Sequence, residues 1–121
     1  MLPDKLQTTT RKITDSIGVI DIQGEVTGAA ESVFMEAYRS LTSRDVDTII
    51  LNFKNMEYMN SSGIGLLVTL FIRASKNNHK LAAVELRSHF RRVFGLTRLQ
   101  DVVPVFDTEQ DAIENFTQSQ L

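Results

Sequence analysis

Residues 48–74 constrain the fold of this chain more than any other stretch. Thr48-Ile49-Ile50-Leu51-Asn52-Phe53 is an apolar run rich in β-branched residues and bounded by charge. It lacks polar alternation, which is the pattern of a buried strand. After it, Ile64, Leu67, Val68, Phe71 and Ala74 fall at steps of three and four, a spacing that gathers them on one helical face. Between the two lies Tyr58-Met59-Asn60-Ser61-Ser62-Gly63-Ile64-Gly65, which sets an amide, two hydroxyls and two glycines at the start of a helix. Asn and Ser are ordinary N-caps, because their side-chain oxygens accept from the unpaired N–H groups of the first turn. Glycines also allow another molecule to approach the backbone. The local pattern leaves a plain cap and a functional loop both open.

The flanking segments repeat the theme. Residues 6–13 alternate weakly, as an edge strand does, and Asp15-Ser16 turns into Gly18-Val19-Ile20-Asp21-Ile22-Gln23, giving an antiparallel hairpin. The loop Gly24-Glu25-Val26-Thr27-Gly28 precedes an amphipathic helix over residues 29–42, carrying Ala30, Val33, Phe34, Ala37 and Leu41, with Thr27 or Gly28 as its cap. A strand, a helix and a strand in one sheet require a right-handed crossover, so the second and third strands are parallel. The central helix is expected over residues 62–76, ending at Asn77-Asn78, and the next strand over residues 80–86. Ser88 is read as the cap of a third helix, residues 102–106 as a short last strand confined to an edge by Pro104, and Thr108 as the cap of a final helix through Phe116. The tail from Thr117 is polar and expected to fray. The loops at the carboxyl ends of the parallel strands then share one edge, where open α/β sheets bind ligands.

Bulk properties exclude several classes. A chain of 121 residues fits one domain, and it contains no cysteine, which rules out disulfides and thiolate metal sites. Two histidines, His79 and His89, are too few for a metal centre, and no cofactor is expected. With 13 basic and 15 acidic residues, nothing points to nucleic acid. Arg87, Arg91, Arg92 and Arg98 form a local basic run, read as a solvated face in preference to a phosphate site. The first residues lack a signal-peptide pattern, and the longest apolar run falls short of the roughly 20 residues that span a bilayer, so a cytoplasmic protein without a membrane partner is expected. Neither serine stands in a Gly-x-Ser-x-Gly elbow, and no Lys follows Gly65 as in a P-loop. A binding protein is therefore expected, not an enzyme. Leu66 and Leu70 lie off the first helical stripe, and with Met56, Tyr58 and Met59 they are candidates for an apolar partner patch around the serines.

Residues 58–67 also resemble the signature of STAS domains, in particular the anti-sigma factor antagonists. In that signature a strand leads to Asp-Ser-Ser or Asp-Ser-Thr, then Gly-x-Gly and an apolar helix. Ser61, Ser62, Gly63 and Gly65 match it, whereas Asn60 stands where the family usually has Asp. Gly24-Glu25-Val26-Thr27 is similar to the family's Gly-Glu-Leu-Asp loop, and the order of elements agrees over residues 6–116 of a single domain spanning residues 1–121. The resemblance implies an α/β fold with a mixed sheet of four to five strands, in the order β-β-α-β-α-β-α-β-α, with helices mainly on one face.

It also implies a function. An antagonist binds an anti-sigma factor that is a serine/threonine kinase; phosphorylation of the antagonist ends the interaction, and a serine phosphatase restores it. By position the phospho-acceptor is Ser61, with Ser62 helping to cap the helix. The partner surface comprises Gly24, Glu25, Val26, Thr27, Met59, Asn60, Ser61, Ser62, Gly63, Ile64 and Leu66. Such a protein is expected to be a monomer or weak dimer. The alternative within the family is an unphosphorylated binding subunit of a larger assembly, such as a lipid-transport ATPase or a stress-signalling complex.

Overall fold

The computed structural model describes residues 6–119. Five strands, β1 (Gln7–Lys12), β2 (Ile17–Val26), β3 (Thr48–Met59), β4 (Lys80–Val84) and β5 (Val105–Phe106), form one sheet in sequence order. β1 and β2 are antiparallel, and every later neighbour is parallel. Helices α1 (Glu31–Thr42), α2 (Ser61–Lys76), α3 (Ser88–Leu96) and α4 (Glu109–Ser119) occupy the connections and the carboxyl end. The mixed α/β order expected from the sequence is the order observed.

Alternation along the strands divides the core. Ile20, Ile22, Leu51 and Phe53 point to the face covered by α1, α2 and α3, where Phe34, Leu41, Leu70 and Phe94 are fully buried. Ile17, Val19, Ile50, Ala82 and Val84 point the other way, against Ala112 and Phe116 of α4. Three helices thus share one face and one helix covers the other, which explains why β3 and β4 read as apolar on both sides.

Several boundaries differ from the sequence reading. β3 runs to Met59, although residues 54–58 are mostly polar, because register shifts between Asp21 and Gln23 and between Gly24 and Glu25 let β2 follow it. Gly24 adopts φ 94° there, a conformation that costs glycine little. β4 stops at Val84, where Glu85 turns to φ 60°. The last strand shrinks to two residues because a 3-10 turn at Leu99–Asp101 precedes Pro104, whose carbonyl accepts from Ala83 N at 2.8 Å. Neither Thr27 nor Gly28 caps α1: a 3-10 turn at Gly28–Ala30 intervenes, and neither N-cap residue, Thr27 of the turn or Ala30 of the helix, accepts a side-chain cap bond. Arg87, not Ser88, occupies the cap position of α3. Thr108 does cap α4, its Oγ1 accepting from Asp111 N at 3.1 Å, and the helix continues through Thr117 to Ser119. Residues 120–121 of the expected frayed tail lie outside the described residues.

α4 is tied to the sheet edge by charge. Arg11 of β1 donates to Asp21 at 2.6 Å and to Glu109 at 2.6 Å, and Asn52 Nδ2 donates to Glu109 Oε1 at 3.0 Å. The Arg11 guanidinium holds the Glu109 carboxyl below its ordinary range, with Asn52 adding to the effect and partial burial opposing it. Because the folded state depresses this pKa, the unfolded chain binds more protons in acid, and stability rises with pH there. The contribution is complete above the ordinary glutamate value of about 4.3 and is lost as pH falls through the depressed folded value. Urea midpoints measured from acid to neutral pH are expected to show a shallower acid loss in Glu109→Gln than in the natural chain; identical slopes would exclude Glu109 as the source.

Candidate functional site

The carboxyl ends of β2 and β3 lie side by side, with Glu25 paired to Tyr58 and Val26 to Met59. The chain then leaves each strand by a different route. After Val26 it enters the Gly28–Ala30 turn; after Met59 it enters α2 directly. Asn60 is the N-cap of α2, extended at φ −105° and ψ −178°, and its Oδ1 accepts from Gly63 N at 2.8 Å. Its own N–H donates to Val26 O at 3.3 Å, and its carbonyl accepts from Ile64 N at 3.0 Å. The cap therefore belongs to Asn60, where the sequence reading shared it with Ser62. Ser61 and Ser62 are the first two residues of the helix, and both are exposed.

The capping geometry gives a direct expectation. Asn60→Ala removes the acceptor and is expected to cost about 0.5–2 kcal/mol, whereas Asn60→Asp keeps it and adds a charge at the positive end of the helix, worth about 0.3–1 kcal/mol. No acidic residue occupies the first turn of α2 to compete with that charge. Denaturant midpoints of the two variants should fall on opposite sides of the natural chain; two shifts of the same sign would contradict the cap.

Gly63 sets how closely the loops approach. A Cβ at this position would stand 2.1 Å from Val26 O, so the start of α2 lies directly on the end of β2. Gly28 comes next to Ser62: a Cβ there would be 3.2 Å from Ser62 Cβ and 3.8 Å from Ser62 Oγ. Gly28 and the neighbouring exposed atoms of Glu25 and Thr27 thus lie on the same edge as the two serines. Tyr58, 47% exposed, stands on that edge too.

Not every residue expected in this surface faces out. Leu66 and Leu70 are buried, Leu70 completely, so they form no patch around the serines. Gly63 faces β2 and fixes the rotation of α2, which turns residues 63, 66, 67, 70 and 74 inward and leaves Val68 outside. Met56, Met59 and Val26 are buried beneath the loops, and Gly24 is enclosed in the strand. Leu66, Met59, Val26, Gly24 and Gly63 therefore support the surface from below, while Glu25, Thr27, Asn60, Ser61, Ser62 and Ile64 retain exposure. Gly28, Ala29 and Gly65 are exposed and were absent from the expected partner surface, and Tyr58, expected in the apolar patch around the serines, is exposed as well. Tyr58 belongs to β3, whose polar outer half reads as a loop in the sequence.

The remaining candidates sit elsewhere. His79 follows the far end of the sixteen-residue α2 and hydrogen-bonds the Tyr38 hydroxyl through Nδ1, while burial pushes the Tyr38 phenol upward from its ordinary pKa. His89 lies edge-on to Phe90 with ring centroids 5.0 Å apart. In the basic run, Arg91 pairs with Asp107, Arg98 pairs with Asp101, and Arg87 donates to Met56 O, bracing the outer half of β3. These arginines serve the protein's own surface. Among the described residues, no cluster of His, Cys, Asp or Glu could hold a metal, and no helix is long and apolar enough to cross a membrane.

Fold and site together define a class of α/β domain in which a long strand carries hydroxyl-bearing residues to the exposed start of the central helix. A model of the STAS domain family matches residues 8–112, and the chain belongs to that family. It is 22% identical over 96 residues to the anti-sigma F factor antagonist of Paenibacillus polymyxa, covering 78% of this chain and 82% of that one. To the anti-sigma-B factor antagonist of Bacillus subtilis (strain 168) it is 25% identical over 95 residues, covering 78% and 86%. The fold is similar to that of the anti-sigma factor antagonist SpoIIAA in its unphosphorylated form, with a TM-score of 0.74, 23% identity and coverage of 93% and 97%.

Proposed function

We propose that this protein is a cytoplasmic anti-sigma factor antagonist, a single STAS domain that binds an anti-sigma factor serine/threonine kinase and is released when that kinase phosphorylates Ser61. The observation that carries this reading is the division of labour at the start of α2. Asn60 supplies the cap, and Ser61 is exposed, so its hydroxyl is spared for modification. The names of the relatives support the same reading.

Phosphate adds about −1.5 to −2 charges, and at a helix N-terminus a negative charge is favourable by roughly 0.3–1 kcal/mol. Modification then leaves the fold intact and acts on the partner surface of Glu25, Thr27, Asn60, Ser61, Ser62 and Ile64, extended by Gly28 and Tyr58. A serine phosphatase resets the switch. With the anti-sigma factor kinase encoded by the native host and ATP, Ser61→Ala is expected to bind but to stay unmodified and unreleased, while Ser62→Ala is modified and released like the natural chain. Release of Ser61→Ala by ATP would overturn the assignment. Asn60 in place of Asp favours a second reading, an unphosphorylated STAS subunit of a larger assembly; it predicts a stable complex with a transport ATPase and no phosphate on Ser61.

A further inference from the structure

β5 is too short to cover the strand beside it. It pairs with β4 only at Ala83 and Val84, so the first residues of β4 have no strand on that side. Lys80 N donates to Asp47 O on the β3 side, and Ala83 N donates to Pro104 O on the β5 side, both at 2.8 Å. Successive residues of a parallel strand turn their main-chain groups to alternate neighbours. Leu81 therefore presents both its N–H and its C=O to the β5 side. To continue the ladder, an N–H of residue 104 would have to reach Leu81 O, and proline has none. Leu81 N would need the carbonyl of residue 102, where the chain is only just leaving the 3-10 turn at Leu99–Asp101. Among the described residues, no turn or loop group bonds the Leu81 main chain in their place. Leu81 is 5% exposed, and unpaired main-chain groups on so enclosed a residue are costly. They lie at a cavity of about 230 Å³ lined by Phe71, Val102, Pro104 and Phe116, together with His79 and Lys80.

We propose that this cavity docks an extended segment of a partner protein, added antiparallel to β4 at Leu81 and carrying an apolar residue followed by an acidic one. In such strand addition the main-chain bonds hold the segment and the pocket selects its side chain. Pro104 decides the direction. A parallel strand needs residues on both sides of Leu81 to reach its two groups, and Pro104 already stands beside Ala83, whereas an antiparallel residue exchanges both bonds with Leu81 by itself. That residue points to the same face as Leu81, the face on which Phe71 packs, and is therefore apolar. The residue after it stands opposite Lys80, which is exposed and makes no ion pair among the described residues; opposite charges across strands attract. An acyl chain would fill the same space but has neither donor nor acceptor for Leu81. The cavity lies at the amino end of β4, and Ser61 follows the carboxyl end of β3. The two sites occupy opposite edges of the sheet, so this one does not depend on whether Ser61 is modified.

The probe is the acetylated, amidated tetrapeptide Ser-Leu-Glu-Ser, added to the unmodified full chain and followed by amide hydrogen exchange and nuclear magnetic resonance. In the free chain the Leu81 amide is expected to exchange faster than that of Ala83. The peptide should bind with a dissociation constant on the order of 10⁻³ M and slow Leu81 exchange about fivefold with four-fifths of the chain bound, leaving the Ser61 amide unmoved. N-methylation of the peptide's leucine removes its donor and should abolish the protection. Lys80→Glu is expected to weaken binding about fivefold and to favour Ser-Leu-Lys-Ser instead; unchanged far-ultraviolet circular dichroism confirms that this variant folds. A Leu81 amide already as protected as Ala83, no response at about ten times the expected constant, binding that survives N-methylation or ignores the charge at residue 80, or equal protection by octanoate overturns the proposal.

Discussion

Gly63→Ala is expected to destabilise the protein by about 1–3 kcal/mol, the range for forcing extra atoms into a packed site. The added methyl would stand 2.1 Å from Val26 O, and backbone cannot swing aside as the end of a flexible side chain can. Either α2 lifts from β2, weakening the bond from Asn60 N to Val26 O, or β2 bends. Both disturb the surface at Glu25, Thr27 and Ser61 together, so partner binding should fall along with the melting temperature. Gly65, two residues later in the same motif, supplies the control. A Cβ there meets nothing within 4 Å, and alanine is a better helix former than glycine by roughly 0.5–1 kcal/mol. Gly65→Ala should leave stability unchanged or raise it. Chemical denaturation of the two variants settles the matter: equal losses would mean that close approach at Gly63 is not what the glycine provides.

A phosphate on Ser61 is expected to weaken binding to the anti-sigma factor kinase at least hundredfold while changing the unfolding midpoint little. Desolvating a charged group without a partner costs several kcal/mol, and each 1.4 kcal/mol is about tenfold in affinity. No basic residue belongs to the first turn of α2, and the half-buried Glu25 on the neighbouring strand end adds a like charge to the same surface. Isothermal titration of the unmodified and phosphorylated proteins against the kinase provides the comparison. A similar affinity for both forms would remove the switch, and a large loss of stability on phosphorylation would move its cause from the interface to the fold.

Much of this architecture was legible from periodicity alone. The hairpin follows from its short connection and the parallel strands from the handedness of the crossover, while the end of α2 at Asn77-Asn78 and the Thr108 cap follow from side chains acting on their own backbone. What stayed hidden depended on long-range register. α2 is apolar on most of its circumference, so spacing by three and four fits either Ile64-Leu67-Val68-Phe71 or Gly63-Leu66-Leu70-Ala74, and only contact with β2 chooses the second. That choice buries Leu66 and exposes Val68. The outer half of β3 was missed for a related reason: its polar residues look irregular until β2 is seen to follow them through two register shifts. At the site, the sequence placed the serines at a helix start, but which residue caps the helix needed the Asn60-to-Gly63 distance.

The central claim is that Ser61 is the modified residue. Intact-mass measurement of the protein isolated from its native host, with and without phosphatase treatment, followed by fragmentation, tests it most directly. One phosphatase-sensitive phosphate mapping to Ser61, and lost in Ser61→Ala, is the predicted result. Phosphate on Ser62 or elsewhere, or none under any growth condition, would contradict it.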